Sequence, residues 1–343
     1  MAANAKNRSG GVIETGLAAR RADETAAGSA LEVYARSDWL EMLAESGGFG
    51  AELVSVVGDW GATPARLQGR TLRAPTNLYT VQAPPPARDA AGAEALARSL
   101  RAAHPRVDRV AWDALSPEDA AACAAGFRAA GWVVETYEHF GCWRTDVSGL
   151  GFAEYLTQRP GRLRSTIKRK RARLEKRGSV RFLHWRGPDD ALTAMDAYGA
   201  AHRDAWQGDE PHPDYPEALI KTGFEGGWGH VFAISVDDVI VAAQIWTAGR
   251  ARITVLKLAH DRSFGDVSPG TLLTAEAIEH FLADGAHSFK TLDFGRGDDA
   301  YKKDWAPDRV PMTGLLAETP LTFKGAIRSA ALITRRIVRR FNS

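Results

Sequence analysis

Apolar residues form three closely spaced strand-like runs in the later part of the chain. The runs HVFAISV, VIVAAQIWTA and RITVLKLA are connected by short turns at Asp237-Asp238 and at Gly249-Arg250. Connections this short are typical of β-hairpins. The pattern therefore predicts an antiparallel meander over residues 230–259.

A helix and one more strand follow the meander. In SPGTLLTAEAIEHFLADGA, Ser268 takes the N-cap position, Pro269 the first helical position, and Gly285 the end. The run FKTLDFG then predicts a strand. A helix N-terminus after a strand offers free N–H groups and the positive end of the helix dipole. Residues 263–272 are thus a candidate phosphate site, although Ser-Pro-Gly is also an ordinary helix start.

The pattern divides the chain into four parts. Residues 1–29 are rich in Ala, Gly and Arg without periodicity, which predicts a flexible N-terminal arm. Residues 30–150 alternate helical and strand-like runs, and residues 151–318 repeat that plan. Residues 319–343 form a separate basic segment. We expect two α/β domains between an arm and a tail.

Composition narrows the class of protein. The chain of 343 residues is 45% hydrophobic and 25% charged, which is typical of a globular protein. Its two cysteines, Cys123 and Cys142, are too few for a disulfide framework or a four-ligand zinc site, so no metal is expected. No apolar leader or membrane-spanning run is present in the sequence, and a cytoplasmic location is expected.

The net charge of +2 conceals two strongly basic segments. Residues 162–181 contain ten Lys/Arg and one acid, and residues 321–343 contain six Lys/Arg and no acid. The first segment predicts a basic helix with a thin apolar stripe of Leu163, Ile167 and Leu174. Such a helix is more often a solvated face than a nucleic-acid site.

The basic C-terminal segment also has helical periodicity. Apolar residues from Phe323 to Phe341 recur at spacings of three and four, with most of the cations between them. This pattern predicts an amphipathic helix suited to an anionic membrane surface, or one packed on its own domain. Arginines can also bind a cyclic dinucleotide such as cyclic di-GMP. The candidate membrane or nucleotide residues are Arg335, Arg336, Arg339 and Arg340.

The stretch LDFGRGDDAYKKDW contains two familiar triplets. Asp293-Phe294-Gly295 and the upstream His202-Arg203-Asp204 have the letters of kinase motifs, and Arg296-Gly297-Asp298 those of an integrin ligand. The kinase triplets lie about 90 residues apart and no glycine-rich loop precedes them, which excludes a kinase. Nothing else in the sequence supports an extracellular ligand.

As a whole, this stretch carries a family resemblance. Together with RSDWLEML, RLRSTIKRKRARLEKRG and LKLAHDRSFGDVSPGTLLTAEAI, it resembles the GNAT acetyltransferases. The similar branch has two tandem copies: the cellulose-biosynthesis and BioF2-like acetyltransferases, related to the FemAB ligases, including enzymes of holdfast polysaccharide synthesis in stalked bacteria. The resemblance implies an α/β fold of two tandem GNAT-like domains with mixed, largely antiparallel sheets, the first domain being degenerate, plus the basic tail helix.

The resemblance and the residue chemistry together nominate a site. Acyl transfer needs a base and donors that stabilise an oxyanion. The catalytic candidates are Asp293, Asp298, Asp299 and Tyr301, with Asp293 at the end of a strand where this fold is expected to open for the acyl-CoA arm. The cofactor-binding candidates are Gly265, Ser268, Gly270, Thr271 and Lys302. The substrate-binding candidates are His202, Arg203, Trp206 and Arg296. A salt-bridged loop is the alternative interpretation of the acidic cluster.

The resemblance implies an acyl-CoA-dependent acetyltransferase that acts on a sugar or polysaccharide precursor at the inner face of the plasma membrane. The phosphate loop DRSFGDVSPG departs from the usual family pattern, since only Gly265 and Gly270 match it. Acetyl-CoA or another acyl-CoA is the expected donor. Two alternatives remain open: an inactive regulator that responds to cyclic di-GMP, and an aminoacyl-tRNA-dependent FemAB-like ligase.

Overall fold

The structure is a computed structural model that describes residues 12–27, 32–49, 52–203, 210–283, 285 and 287–341. Within these residues the strands are β1 (Val12–Thr15), β2 (Glu52–Gly58), β3 (Gly61–Gln68), β4 (Thr71–Arg73), β5 (Arg109–Leu115), β6 (Val133–Asp146), β7 (Val180–Trp185), β8 (Gly229–Val236), β9 (Val239–Ala248), β10 (Arg252–His260), β11 (Thr291–Arg296) and β12 (Asp308–Glu318).

The α-helices of the described residues are α1 (Ala18–Ala27), α2 (Ser37–Ser46), α3 (Ala90–Ala103), α4 (Pro117–Ala129), α5 (Phe152–Thr157), α6 (Gly161–Leu174), α7 (Ala191–Arg203), α8 (Tyr215–Glu225), α9 (Pro269–Leu282), α10 (Lys302–Trp305) and α11 (Phe323–Phe341). Short 3-10 segments cover Val33–Ala35, Pro188–Asp190 and Arg262–Val267. None of the helices in the described part of the chain combines the length and the apolar composition needed to cross a bilayer.

The chain forms two compact units, and each contains more than one stretch of sequence. Unit 1 comprises Met1–Ser29, Gly48–Gly141 and Val310–Ser343, and unit 2 comprises Ala30–Gly47 and Cys142–Arg309. These boundaries differ from the sequence-based ones in three places. Part of the predicted flexible arm forms β1 and α1, with β1 paired to β2, and Ala30–Gly47 belongs to unit 2. The chain also returns to unit 1 at its C-terminus. There β12 pairs with β5 in an antiparallel register, with Glu318 opposite Arg109.

Unit 1 is built on a mixed sheet in the order β1-β2-β3-β4-β5-β12-β6, to which β6 contributes its first part. The β4–β5 pair is parallel, whereas β1–β2, β2–β3, β3–β4 and β5–β12 are antiparallel. Leu96 of α3, Phe127 of α4 and Trp112 of β5 are fully buried in its core. The α/β plan predicted for this half is therefore confirmed.

Within unit 2 the strands follow the order β6-β11-β10-β9-β8-β7 in mixed β-sheet, to which β6 contributes its last part. The β8–β9–β10 meander is antiparallel, as predicted, and α9 then leads to β11, which pairs with β10 in parallel. The basic helix α6 buries its predicted stripe of Leu163, Ile167 and Leu174 in the core of this unit. Trp246 and Phe281 lie in the same core.

The tail helix α11 is attached to unit 1 through an arginine and two buried acids. Arg328 Nε donates to Glu318 Oε2 at 2.7 Å, and the same guanidinium bonds Asp108. Both carboxylates are fully buried. Asp108 also pairs with Arg70, and Glu318 pairs with Arg109, each at 2.5 Å. Burial alone would raise the pKa of Asp108, but hydrogen bonds from Arg70 and Arg328 hold this pKa below its usual value.

This attachment points the apolar face of α11 outward. Ser329 and Leu332 are buried against unit 1, whereas Phe323, Ile327 and Ile333 are 83%, 56% and 49% exposed. The sequence left open whether this helix packs on its domain, and the structure shows that its first part does so through the face that carries Arg328, Ser329 and Leu332. The side chains of residues 336–341 lie outside the described set.

Replacing Arg328 with Ala should destabilise unit 1. The change leaves two buried carboxylates with fewer cations, so we expect the free energy of unfolding to fall by about 3 kcal/mol in urea titrations. Arg335→Ala, at an exposed position on the same helix, should change it by no more than about 0.5 kcal/mol. Equal effects of the two substitutions would contradict the anchoring role.

Candidate functional site

Strands β10 and β11 part from one another inside unit 2. In the described part of the chain their parallel ladder comprises three residue pairs, which end at Thr254 and Asp293. Strand β10 continues to His260 with an irregularity between Val255 and Lys257, while β11 continues to Arg296. Diverging parallel strands leave backbone groups and space between them for a ligand. The sequence predicted an opening of the sheet at Asp293.

Asp293 is bound by its neighbours where the strands part. Its side chain is fully buried and accepts a hydrogen bond of 2.6 Å from Arg144 Nε on β6. It also accepts 2.8 Å from the backbone N–H of Gly295, and Arg252 of β10 lies 3.7 Å away. The carboxylate therefore joins β6, β10 and β11. These contacts are those of a positioning residue, and a catalytic role for Asp293 stays a prediction.

A cavity of about 440 Å³ lies where β10 ends and α9 begins. The residues that line it come from α6, the end of β10, the segment before α9, the first two turns of α9 and the segment around α10: Arg162, Leu163, Thr166, Leu258, His260, Gly265, Ser268, Gly270, Thr271, Thr274, Tyr301, Asp304 and Trp305. Four predicted cofactor-binding residues, Gly265, Ser268, Gly270 and Thr271, and the predicted catalytic Tyr301 are thus brought to one cavity.

The N-terminus of α9 is held in place by a buried polar network. Gln244 of β9 donates to Gly270 O at 3.1 Å and to Thr274 Oγ1 at 2.8 Å. Trp246 Nε1 in turn donates to Gln244 Oε1 at 2.8 Å. Because each partner is satisfied, this network fixes the position of the first turn of α9.

Ser268 begins α9 in an unusual conformation. Its φ and ψ are 51° and 57°, in the left-handed region that few non-glycine residues adopt, and its side chain makes no capping hydrogen bond. Strain of about 1 kcal/mol or more at such a residue is typical of ligand sites. A Cβ added at Gly270 would lie 3.2 Å from the Leu258 side chain, which is closer than an ordinary contact. Glycine therefore leaves this part of the cavity free of a side chain.

Two side chains of the cavity wall, His260 and Tyr301, can exchange protons with a substrate. Burial lowers the pKa of His260, so its imidazole is neutral at pH 7 and can accept a proton. Its Nδ1 is buried without a hydrogen-bond partner. Tyr301 is 46% exposed, but partial desolvation, and secondarily the charge of Asp299, raises the pKa of its hydroxyl to about 12, so the group stays protonated and can donate. The site thus has a proton acceptor and a proton donor.

The other predicted residues of the LDFGRGDDAYKKDW stretch pair with one another or with Arg309 at the start of β12. Asp298 accepts two hydrogen bonds from Arg309, at 2.6 and 2.8 Å. Asp299 pairs with the buried Lys302 at 3.0 Å, and Lys302 also donates 2.8 Å to Arg296 O. These contacts match the alternative of a salt-bridged loop. The described cavity wall includes none of the four predicted residues Arg296, Asp298, Asp299 and Lys302.

The predicted substrate-binding residues are not brought together at the described cavity. His202 and Arg203 end α7, and Arg296 ends β11 with an exposed side chain. Trp206 lies outside the described residues. Their role stays a prediction.

Sequence reasoning missed His260, Arg162, Thr166, Thr274 and Asp304 as cavity residues. Arg162 and Asp304 form an ion pair across the α6 and α10 sides of the cavity. Only His260 carried a signal, because it ends an apolar strand immediately before the glycine-containing loop. The remaining four reach the cavity through tertiary packing of α6, α9 and α10.

Comparisons with known proteins assign the domain. Residues 161–303 match the family model described as the acetyltransferase (GNAT) domain. No curated protein sequence matches the chain. The C-terminal half therefore contains a GNAT-type acyltransferase domain.

Solved structures show the same fold over most of the chain. The structure entitled FemX is 13% identical with a TM-score of 0.56 and covers 82% of this chain and 90% of its own. A conserved protein of unknown function from Bacteroides thetaiotaomicron is 11% identical, with a TM-score of 0.57 and the same coverages. The C-terminal domain of a putative lysylphosphatidylglycerol synthetase from Agrobacterium fabrum is 14% identical, with a TM-score of 0.52 over 87% of this chain and 96% of its own. The predicted α/β, FemAB-like fold is thus confirmed.

Asp293→Asn should strongly destabilise unit 2. The substitution removes the negative charge opposite the largely buried Arg144, so we expect a loss of about 3–5 kcal/mol in the free energy of unfolding. Asp298→Asn is the matched control, because its side chain is half exposed and its ion pair with Arg309 should contribute about 1 kcal/mol or less. Chemical denaturation of both variants tests the difference. A small effect at Asp293 would contradict its role in joining the strands.

Proposed function

We propose that this GNAT-type acyltransferase uses an acyl-CoA donor and transfers the acyl group to a sugar or polysaccharide precursor. The observation that carries the proposal is the cavity between the end of β10 and the start of α9, where four predicted donor-binding residues lie together. The matched GNAT domain, 161–303, contains almost all of its wall.

The cavity wall suits a phosphorylated thioester. The first turn of the 14-residue helix α9 contributes Gly270 and Thr271, and a helix N-terminus favours anionic groups. The absence of a Cβ at Gly270 lets a ligand approach the backbone closely. Arg162 supplies a cation on the α6 side, where Asp304 orients it. These residues would hold the phosphates of the donor, while the parted strands would receive its extended arm.

The chemistry requires one proton to move from acceptor to leaving group. In the proposed reaction the acceptor amine or hydroxyl attacks the thioester carbonyl while neutral His260 takes its proton. The carbon–sulfur bond breaks as the new carbon–nitrogen or carbon–oxygen bond forms, and Tyr301 donates a proton to the sulfur. Proton transfer from His260 back to Tyr301 through solvent restores both groups. Backbone N–H groups in the gap between the strands would stabilise the carbonyl oxygen.

The acceptor class rests on the family resemblance of the sequence motifs. That resemblance supports a sugar acceptor, and an amino sugar would offer the better nucleophile. His202, Arg203, Trp206 and Arg296 remain our proposed contacts for it.

Substitution of the two proton-transfer residues tests the reaction. We expect His260→Gln and Tyr301→Phe each to lower kcat by about 10²–10⁴-fold with little change in the KM for acetyl-CoA. The assay is thiol release from acetyl-CoA with hexosamines and nucleotide sugars as acceptors. Because the pKa of His260 is lowered, the acid limb of kcat/KM should lie below pH 6.5 in the wild type.

The matched control is His287→Gln, since His287 bonds Leu150 O outside the described cavity wall and its variant should keep wild-type kcat. Full turnover by His260→Gln would contradict the assigned base. If no acceptor in the panel reacts, the sugar class is wrong, provided that acetyl-CoA binds.

An aminoacyl-tRNA donor is the second candidate, because the fold is shared with the structure entitled FemX. The charge distribution weighs against it. Five of the ten cations in residues 162–181 are paired with acids of unit 2: Arg162, Arg171, Arg173, Arg177 and Arg181. This pairing reduces the positive field available to a phosphate backbone. Copurification of tRNA, with binding that weakens steeply with salt, would instead support this donor.

We also propose that α11 attaches the protein to an anionic membrane surface, at the inner face of the plasma membrane. Its outward face carries the exposed Phe323, Ile327 and Ile333, and Lys324 and Arg335 are exposed beside them. Apolar side chains flanked by cations suit the boundary between headgroups and acyl chains. Cyclic di-GMP remains a proposed competing ligand of the C-terminal arginines.

Double substitution of Phe323 and Ile327 with Ser should weaken binding to phosphatidylglycerol vesicles by at least about tenfold in sedimentation assays, since each buried apolar side chain contributes about 1.5–3 kcal/mol. Val239→Ser, at another exposed apolar position, should bind like the wild type. Equal binding by all three proteins would refute membrane attachment through α11. Release of wild-type protein by cyclic di-GMP would support the competing ligand.

A further inference from the structure

Three histidines of unit 2 lie close together outside the wall of the described cavity, two on strands β7 and β8 and one on helix α9. His184 lies on β7, His230 on β8 and His280 near the end of α9. One ring nitrogen of each lies within 4.8 Å of the corresponding atoms of the other two. We propose that these three imidazoles form a binding site for a divalent transition-metal ion of the zinc class.

The spacing of the rings fits a shared ion. His184 Nε2 and His230 Nδ1 are 3.0 Å apart, and their rings are stacked at 5.3 Å with an angle of 6°. The ring of His280 lies 4.2 Å from that of His184, at 55°. Zinc–nitrogen bonds of about 2.0–2.1 Å bring ligand nitrogens to separations of about 3.3 Å in a tetrahedral site. The three nitrogens therefore need only small ring movements to share one ion.

The surroundings hold the rings in the form that binds a metal. His184 stacks on Phe232 at 4.4 Å, and His230 packs edge-on against Phe281 at 5.0 Å. Burial, followed by the charges of neighbouring His280 and Arg186, lowers the pKa of His184 to about 4. Burial likewise lowers the pKa of His230 to about 3. Neutral imidazoles offer lone pairs to a metal, and His184 and His230 can each present one by a change of tautomer without net proton release.

The charged groups around the three histidines have opposing effects on a bound cation. Arg186 lies close enough to lower the pKa of all three histidines, and it opposes a bound cation. Asp190 favours positive charge at His184, and Glu276 favours it at His280. Glu276 is one helical turn before His280 and is paired with Arg171 at 2.8 Å. Three protein ligands leave a fourth position on the exposed His280 side for a water or an anion.

A metal ion bound by all three histidines would connect β7, β8 and α9. Strand β7 is the outer strand of the unit 2 sheet and is paired with β8 through residues 180–185. Shared ligands would fasten β7 to β8 and both to α9. A ligand that binds only the folded state raises its stability by mass action. The proposed ion is therefore a structural clamp whose effect can be measured without any enzymatic substrate.

Metal titration of the purified full chain tests the site. After treatment with chelator and dialysis, we expect the wild type to bind one Zn²⁺ per chain in calorimetry, to show this ratio by elemental analysis and to gain thermal stability. The Co²⁺ complex should show visible absorption of a low-coordinate nitrogen site. His280→Gln changes an exposed side chain, so it should fold normally while it weakens Zn²⁺ binding by at least about tenfold.

Two further variants sharpen the test. Arg186→Gln removes the opposing cation and should tighten Zn²⁺ binding severalfold. His139→Gln, which changes a histidine of unit 1, should bind Zn²⁺ like the wild type. The proposal is overturned if the wild type binds no Zn²⁺ or if His280→Gln binds it as tightly as the wild type does. Binding that is lost equally in His139→Gln would also overturn it.

Discussion

The buried carboxylate of Asp293 is the interaction on which the architecture of unit 2 depends. It lies where β10 and β11 part, and it is held by Arg144 at 2.6 Å and by the N–H of Gly295 at 2.8 Å. A fully buried charge is stable only when it is paired and hydrogen-bonded. These contacts join β6, β10 and β11 at the position where the ladder between β10 and β11 ends.

The N-terminus of α9 is the second structural feature on which the candidate site depends. Gln244 on β9 bonds both Gly270 O and Thr274 Oγ1, so the helix N-terminus is held relative to the meander rather than by a side-chain cap of its own. His260 enters the same cavity because β10 runs six residues beyond Thr254, where its ladder with β11 ends. A proton acceptor and a helix N-terminus are thus brought to one cavity by the end of β10 and the start of α9.

The elements were more predictable from sequence than the side chains that meet in space. The meander and the start of α9 followed from local signals: strand-like apolar runs, the short turns between them, and Ser268 before Pro269. Gly265, Ser268, Gly270 and Thr271 follow one another on a single loop and helix, so they reached one cavity. Asp298 and Asp299 also lay near in sequence, but Arg309 and Lys302 pair with them. Such pairing depends on packing that periodicity does not describe.

The same limit explains the features that sequence reasoning missed. His184, His230 and His280 are separated by 46 and 50 residues, spacings that match no short metal-binding motif, and only the strand register and α9 bring them together. The return of β12 to unit 1 depends on its pairing with β5, which no local pattern encodes. The outward apolar face of α11 follows from the two buried acids that bind Arg328.

The most direct test of the account is hydrogen–deuterium exchange of the full chain with and without saturating acetyl-CoA. The account predicts slower exchange of backbone amides in residues 265–274 and in the segment after Asp293, with little change in the meander. Saturable binding without protection of these segments would show that the donor lies elsewhere and would contradict the assigned site.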